Sequence, residues 1–475
     1  MAGGLELALD LPPQGSRQVR RALYGQLRAA ILDGRLVPGL QLPASRVLAE
    51  RLGLSRNSVI AVYDLLAAEG YIVSRPGAGC FVTGNPSPSP PPALQVPFLI
   101  HERWRGAQPR TAFAGDPAAD FRLGRPEARF FPFNIWARLS NRTLRQFARS
   151  APAFFPPAGH PALRTAIAGH VSATRAVACG ADDIVVTAGS QQAFDLLARL
   201  LVTPERPVVA VEDPGYPLVR AAFAKAGAKL VPVPVDGEGL IVERLPPDAA
   251  VIYVTPSHQF PLGTPLSLAR RRQLLDFAAL RGAVIIEDDY DSEFRFAGHP
   301  LDALKTLDRE GRVFYVATFS KSLFAALRTG FIVAPSWALD PLRAVRQMTD
   351  LFGPPLDQET LAAFIAEGHL ARHVRRMRKL YAERRLALQD ALALSCDGLL
   401  QPVPALAGLH LSARFGPRAR PERIAEKAMA NGIAVDTLGR FALAPVAHDG
   451  LAFGYGTIDA ERIDGAIRTL AKLLS

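Results

Sequence analysis

Apolar residues recur at every fourth position over residues 17–33, at Val19, Leu23, Leu27 and Ile31, and this predicts an amphipathic helix. "GRLVPGLQLPA" ends it, because its glycines and prolines break regular structure. A short helix follows in "SRVLAERLG" and stops at Gly53. After a tight turn, "SRNSVIAVYDLLAAEG" offers Ser55 as an N-cap, a buried stripe of Val59, Ile60, Val62, Tyr63 and Leu66, and Gly70 as a terminator. "YIVSRPGAGCFV" then reads as two short strands around an Arg-Pro-Gly-Ala-Gly tip. Helix, helix, turn, helix, hairpin is the plan of a winged helix-turn-helix.

From about residue 118 the pattern changes. "DIVVTAGSQQAFDLLARLLV" is a strand, a turn and a helix. "RPVVAVEDPGY", "AAVIYVTPSHQFPLG", "GAVIIEDDYDSEF", "VFYVATFSK" and "TGFIVAP" are further short strands, with helices such as "PLSLARRRQLLDFAALRG" between them. Such alternation predicts an α/β fold whose largely parallel sheet is covered on both faces. A long helix is expected near residues 371–395, and residues 403–475 read as a smaller α+β part. Between the two patterns lies "GNPSPSPPPA", with five prolines between positions 86 and 92, an extended spacer that neither helix nor sheet accommodates. The predicted division is therefore a DNA-binding module at 1–83, a linker at 84–117 and a larger module at 118–475.

Length and composition add little to this and exclude some classes. A chain of 475 residues, 49 % apolar, is long enough for more than one buried core. The formal net charge of +11 fits a polyanionic partner, and equally an arginine-rich proteome. Cys80, Cys179 and Cys396 are odd in number and far apart, so neither a disulfide framework nor a metal site is expected and a reducing cytoplasm is. "MAGGLELALD" lacks the basic start and apolar core of a secretion signal, and no apolar run approaches the roughly 20 residues that span a bilayer.

Two groups of residues carry candidate chemistry. In the first module, Arg56, Asn57 and Ser58 are consecutive, polar and not needed for the core, so a helix entering a major groove would present them to base edges and phosphates. Arg75, Gly77 and Gly79 suit a hairpin tip lying close to a DNA backbone. Residues 1–84 hold nine arginines, no lysine and six acids, a net charge of +3 that suits phosphate contact.

In the second module, several polar residues follow strand-like runs, where a parallel sheet carries its ligand. Gly189, Ser190 and Gln191 open a helix that could hold a phosphate. Thr318 and Ser320 add hydroxyls and Arg328 a guanidinium. Asp288 supplies a carboxylate, Tyr216 an aromatic face and Lys321 an amine. This is the set that binds pyridoxal 5′-phosphate: the lysine forms the Schiff base, the carboxylate keeps the pyridine protonated and the aromatic ring stacks on it. Burial would lower the lysine pKa and favour the neutral amine.

"LPASRVLAERLGLSRNSVIAVYDLLAAEGYIVSRPGAGCFV" resembles the DNA-binding domain of GntR-family bacterial regulators. That resemblance implies operator contacts at Arg46, Arg56, Asn57, Ser58 and the wing-tip glycine. "TFSKSLFAALRTGF" resembles the Schiff-base segment of fold-type I aminotransferases over roughly residues 118–475. With "EDDYDSEFRF" and "TPSHQFPLG", the whole is similar to the MocR/GabR subfamily, in which a GntR-like head is fused to an aminotransferase-like body. The resemblance implies Lys321 as the Schiff-base lysine, Asp288 rather than Asp289 at the pyridine nitrogen, and Tyr290 near the ring hydroxyl. It further implies Tyr216 stacked on the ring, Ser190, Thr318, Ser320 and Arg328 on the phosphate, and a head-to-tail homodimer on double-stranded operator DNA.

Three departures stand out. Phe260-Pro261 replaces the Asn-Pro of aminotransferases, so the contact to the ring oxygen is lost or passes to His258 or Gln259. Phe154 stands where many relatives carry a tyrosine that reaches the neighbouring subunit. "HDGLAFGYG" holds no arginine for a substrate carboxylate, which leaves Arg440 as the nearest effector-binding candidate and makes an amine, a sulfonate or the cofactor itself an alternative ligand. The expectation is a regulator that senses an amine, an amino acid or the cofactor itself through Lys321. The rivals are a working transaminase with an accessory head, and a body that has lost its cofactor.

Overall fold

The structure is a computed structural model, and it describes residues 9–12, 18–83, 104, 116–150, 154–296, 302–444 and 449–475. The chain divides into two compact units, Met1–Arg105 and Gly106–Ser475. The proline-rich stretch 84–93 lies outside the described residues.

Among its described residues the first unit has three helices, α1 (Val19–Leu32), α2 (Ser45–Leu52) and α3 (Arg56–Ala68), then an antiparallel hairpin of β1 (Ile72–Arg75) and β2 (Gly79–Val82). Leu23 and Leu27 from α1, Leu48 from α2, and Val59, Val62 and Leu66 from α3 meet in one core that Ile72 and Val82 of the hairpin close. Ile60, expected in the stripe, is only half-buried, because the core-facing arc of α3 runs through Val59, Val62, Tyr63 and Leu66. Ser55 caps α3 by accepting the backbone N–H of Ser58 at 3.2 Å.

The second unit begins with β3 (Ala119–Asp120) and then builds an eight-stranded sheet. Its strands in chain order are β4 (Ile184–Thr187), β5 (Val208–Asp213), β6 (Lys229–Asp236), β7 (Gly239–Leu240), β8 (Val251–Val254), β9 (Val284–Asp289), β10 (Val313–Thr318) and β11 (Gly330–Val333). Their spatial order is β4-β11-β10-β9-β8-β5-β6-β7. Five neighbouring strands, β10 through β6, pair in parallel, whereas β11 runs antiparallel between β4 and β10. Four of the parallel strands, β5, β8, β9 and β10, are buried on both faces, which is why they read as continuous apolar runs, whereas β6 is half-exposed. Phe194 and Leu197 of helix Ser190–Leu201 cover Val209, Tyr253 and Phe314 on one face. Leu274 and Ala278 of helix Leu268–Arg281 cover Ile252, Ile285 and Val313 on the other.

The long helix runs His369–Ser395. Beyond it, β12 (Leu400–Pro402), β13 (His410–Phe415), β15 (Asp436–Thr437) and β16 (Gly450–Gly454) make an antiparallel sheet, while β14 (Ile433–Ala434) pairs in parallel with β3. The smaller part is therefore not confined to residues 403–475, since the start of the unit crosses into it through β3. Its closing helix, Ala460–Leu474, packs along the long helix.

Candidate functional site

The carboxyl ends of the parallel strands open into one cavity of about 1160 Å³. Ser190, Gln191, Tyr216, Asp288, Tyr290, Thr318, Ser320, Lys321 and Arg328 all line it. Gly189 stands just behind, as the N-cap of helix Ser190–Leu201. Its φ is +78°, and a Cβ there would come within 2.6 Å of an Arg328 nitrogen, so glycine lets the guanidinium close on the helix N-terminus.

Lys321 lies three residues beyond the end of β10, and its Nζ donates to the Gly124 carbonyl at 2.6 Å. Gly124 has φ +76°, and a Cβ would sit 2.9 Å from Nζ, so this partner position needs glycine. Burial pushes the Lys321 amine below its ordinary pKa, Asp291 and Asp288 oppose this, and Arg328 adds to it.

Asp288 is 4 % exposed. Its Oδ2 accepts the Tyr253 hydroxyl at 2.7 Å, and its Oδ1 has no donor among the described residues. Burial pushes this carboxyl up to about 7, and the hydrogen bond from Tyr253 only partly restrains it. Asp289 is one residue further along β9 and so faces the opposite way. It binds Arg175 at 2.7 Å and the Tyr315 hydroxyl at 2.5 Å, and it does not line the cavity.

The donor set fits pyridoxal phosphate. A buried carboxylate with an unmatched oxygen is what a pyridinium N–H needs. Among the described residues the Ser320 hydroxyl and Gln191 Oε1 are likewise without partners. Thr318 donates to the Thr329 carbonyl and accepts from Ser320 N, both at 3.2 Å, and Arg328 donates to the Ala188 carbonyl at 3.1 Å.

His258, offered by the sequence for the ring oxygen, is 2 % exposed and does not line the cavity. Its ring sits behind Tyr290, with Nδ1 at 3.1 Å from both Asp291 oxygens and from the Tyr290 hydroxyl. Tyr290 also donates to the His258 carbonyl at 3.0 Å. His410, missed in the sequence, lines the cavity instead, and burial pushes it down to about 3. No metal ligands were expected, yet His258, Asp291 and His410 bring ligand-type atoms within 4.8 Å of one another. Those donors already serve hydrogen bonds, including Leu409 N to Asp291 and His410 to the Pro261 carbonyl, both at 3.0 Å.

Arg440 does line the cavity and forms an ion pair with Asp436. Phe260 lines it too, edge-on to Tyr216 and Phe441. Phe154 does not; it is 81 % exposed and meets Phe352 edge-on. Tyr253, Gly124, Asp291 and Asp436 were not read from the sequence. Only Tyr253 carried a signal, as a tyrosine inside an otherwise aliphatic strand.

In the first unit Arg46 is exposed on α2, and Arg56 and Asn57 are exposed in the first turn of α3. Ser55 and Ser58 pair their hydroxyls at 2.8 Å, which ties both to the cap and leaves Arg56 and Asn57 as the side chains presented outward. The Arg75 guanidinium lies over the Phe81 ring, 4.8 Å from its centroid, and Gly77 and Gly79 both take positive φ at the tip. Gln41, which sequence reasoning missed, braces the wing by donating to the Ala78 carbonyl at 2.6 Å.

Fold and site together define a DNA-binding head joined to an aminotransferase-type body. Residues 19–82 match the bacterial regulatory proteins of the gntR family, and residues 123–433 match aminotransferase class I and II. The probable rhizopine catabolism regulatory protein MocR of Rhizobium meliloti is 39 % identical over 95 % of this chain and 93 % of its own. The pyridoxine biosynthesis transcriptional regulator PdxR of Corynebacterium glutamicum is 31 % identical over 99 % of each chain. The transcriptional regulator TauR of Rhodobacter capsulatus is 33 % identical over 80 % of this chain and 81 % of its own. Among solved structures, a Pyrococcus horikoshii kynurenine aminotransferase superposes with a TM-score of 0.73 at 25 % identity, covering 80 % of this chain and 97 % of that one. The chain is a transcriptional regulator of the GntR family with an aminotransferase class I and II body. Within that class it belongs to the MocR subfamily.

Proposed function

We propose that the body holds pyridoxal 5′-phosphate and that the protein acts in the cytoplasm as a homodimer on paired operator half-sites. Its hold on DNA responds to an amine or amino-acid-type effector, or to the cofactor itself, at Lys321. The observation that carries this proposal is that Lys321, its pKa depressed, and Asp288, with one oxygen unmatched, line the same cavity. When bound, pyridoxal phosphate supplies an aldehyde that condenses with primary amines and a ring that withdraws electrons.

The chain's own residues do the rest. Burial lowers the Lys321 pKa and so favours the neutral, nucleophilic amine, and the Gly124 carbonyl orients it. Asp288 would hold the ring nitrogen and its proton, steadied by Tyr253. Tyr216 offers a face for the ring, and Tyr290 a hydroxyl for the ring oxygen. Gly189, Ser190 and Gln191 at a helix N-terminus, with Thr318, Ser320 and Arg328, would grip the phosphate. In the head, Arg56 and Asn57 would read bases, and Arg46, Ser55, Ser58, Arg75, Gly77 and Gly79 would track the DNA backbone. An effector amine that takes the place of Lys321 must favour one arrangement of the dimer for DNA binding to respond. Relatives named for pyridoxine biosynthesis and rhizopine catabolism support small-molecule control.

A working transaminase is the second reading, favoured by the likeness to kynurenine aminotransferase and by Lys321 and Asp288 being present together. Visible absorption of purified protein with pyridoxal phosphate tests both. A band that disappears in Lys321→Ala and shifts stably with an amine supports the sensor. Steady conversion to the pyridoxamine form supports the enzyme. A wild-type spectrum identical to that of Lys321→Ala sinks the cofactor reading.

A further inference from the structure

Residues 1–84 carry +3 of the chain's net +11, so +8 belongs to the remainder. Two helices of the body hold that whole excess. Helix Phe133–Arg149 has four arginines and no acid, and the long helix His369–Ser395 has seven bases against Glu383 and Asp390. Together they carry +9, which leaves the rest of the body close to neutral.

The arginines of helix Phe133–Arg149 stand at 138, 142, 145 and 149, a spacing that puts them on one face. All four are exposed, while Leu139 and Thr143 are buried on the other side. Among the described residues only Arg142 of the four has an acid, Glu367 at 2.5 Å. The Glu367 carbonyl also accepts from Arg372 at 2.8 Å, so the start of the long helix adjoins the stripe. Arg375 and Lys379, one and two turns further on, are exposed and have no acid among the described residues.

Like charges three and four residues apart destabilise the helix that carries them, and a bound polyanion removes that repulsion. Guanidinium forks suit phosphate oxygens. Arg138 to Arg149 spans about 16 Å along the helix axis, a length over which one strand of a duplex sets about five phosphates. A helix lying on a lipid surface needs its apolar side free. Here Leu139 and Trp136 are packed into the core of the body. The head is a DNA-binding domain on the same chain, so a duplex that it holds meets the body at raised local concentration.

We infer that this arginine face of the body is a second DNA-contacting surface, which grips duplex phosphates without reading sequence. It stands on charge and placement alone and does not depend on the cofactor.

The test uses full-length protein and a mixed-sequence duplex of about 40 base pairs, with fluorescence anisotropy read at several salt concentrations. The triple variant Arg138→Gln, Arg145→Gln, Arg149→Gln should reduce the slope of log affinity against log salt by about 2–3, since each lost phosphate contact removes about 0.9. Its melting temperature should not fall, because like-charge repulsion is relieved. The matching triple lysine variant keeps the charges and should keep the wild-type slope. Arg375→Gln with Lys379→Gln, on the other helix, should lower the slope by about 1–2. Binding that survives Arg46→Ala with Arg56→Ala in the head should vanish when the three glutamines are added. Equal slopes in wild type and both glutamine variants would overturn the inference, and binding to phosphatidylglycerol vesicles lost in the same variants would then name a lipid surface instead. A change of oligomeric state by light scattering in the triple glutamine variant would also overturn it, giving the face to a second copy of the chain.

Discussion

Asp288 and Asp289 are neighbours in the chain and opposites in the structure. Period-two alternation along β9 points one into the cavity and the other to Arg175; reading "AVIIEDD" as a strand shows that the two must face opposite ways, while which of them meets the cavity came only from the family resemblance. Tyr253 was not legible in the same way, because it reaches Asp288 from a different strand and no local pattern announces a cross-strand hydrogen bond. The raised pKa of Asp288 makes a pH prediction. An acid pushed from 3.8 up to about 7 holds its proton in the folded state where the unfolded chain has released it. Its contribution is therefore fully present below about pH 4 and is lost as the pH rises to about 7. Melting temperature against pH should fall more steeply across that window in cofactor-free wild type than in Asp288→Asn, and comparing the two cancels the slopes from other buried acids such as Glu293. Adding pyridoxal phosphate should flatten the wild-type curve by giving the carboxylate a cationic partner. Equal slopes in the two cofactor-free proteins would show that Asp288 is ionised in the empty site. Tyr253→Phe removes the hydroxyl that donates to this carboxylate, and cofactor affinity measured by titration should fall several-fold, a loss on the order of 1 kcal/mol.

At the scale of elements, the head was legible almost residue by residue. Its helices are bounded by local signals: Gly53 at φ +65° closes α2, and Ser55 opens α3. Ser55→Ala should lower the unfolding free energy of the head by about 1 kcal/mol, read from its thermal transition. A change within error would show that Asn57 or solvent satisfies the same N–H groups. Arg56→Ala should weaken operator binding and reduce the slope of log affinity against log salt by about 1 if the arginine meets a phosphate, but leave that slope nearly intact and relax specificity if it meets a base. Fluorescence anisotropy at several salt concentrations separates the two. The body was legible as alternating strands and helices, but its smaller part was not, since β3 joins β14 across more than three hundred residues of chain. Two-residue strands carry no periodicity, and their pairing is decided by packing around Ile433 and Ala119. The same limit hid Gly124, whose carbonyl matters only because the fold brings Lys321 to it.

At the scale of the whole molecule, a head for DNA and a body for a small molecule are useful together only if binding at one changes the free energy of binding at the other. Such a coupling is reciprocal. If an effector changes operator affinity by some factor, the operator must change effector affinity by that same factor, and natural couplings are about 5–150-fold, or roughly 1–3 kcal/mol. Operator affinity should therefore be measured with and without effector by anisotropy, and effector affinity with and without operator by the visible band of the cofactor. The two ratios should agree. In Lys321→Ala the head is untouched, so operator binding should persist while the ratio falls to one, which separates loss of sensing from loss of folding. If Lys321→Ala keeps the full ratio, the signal does not pass through the lysine, and the effector acts elsewhere in the body. If wild type shows a ratio of one in both directions together with steady turnover, head and body are independent and the transaminase reading takes over.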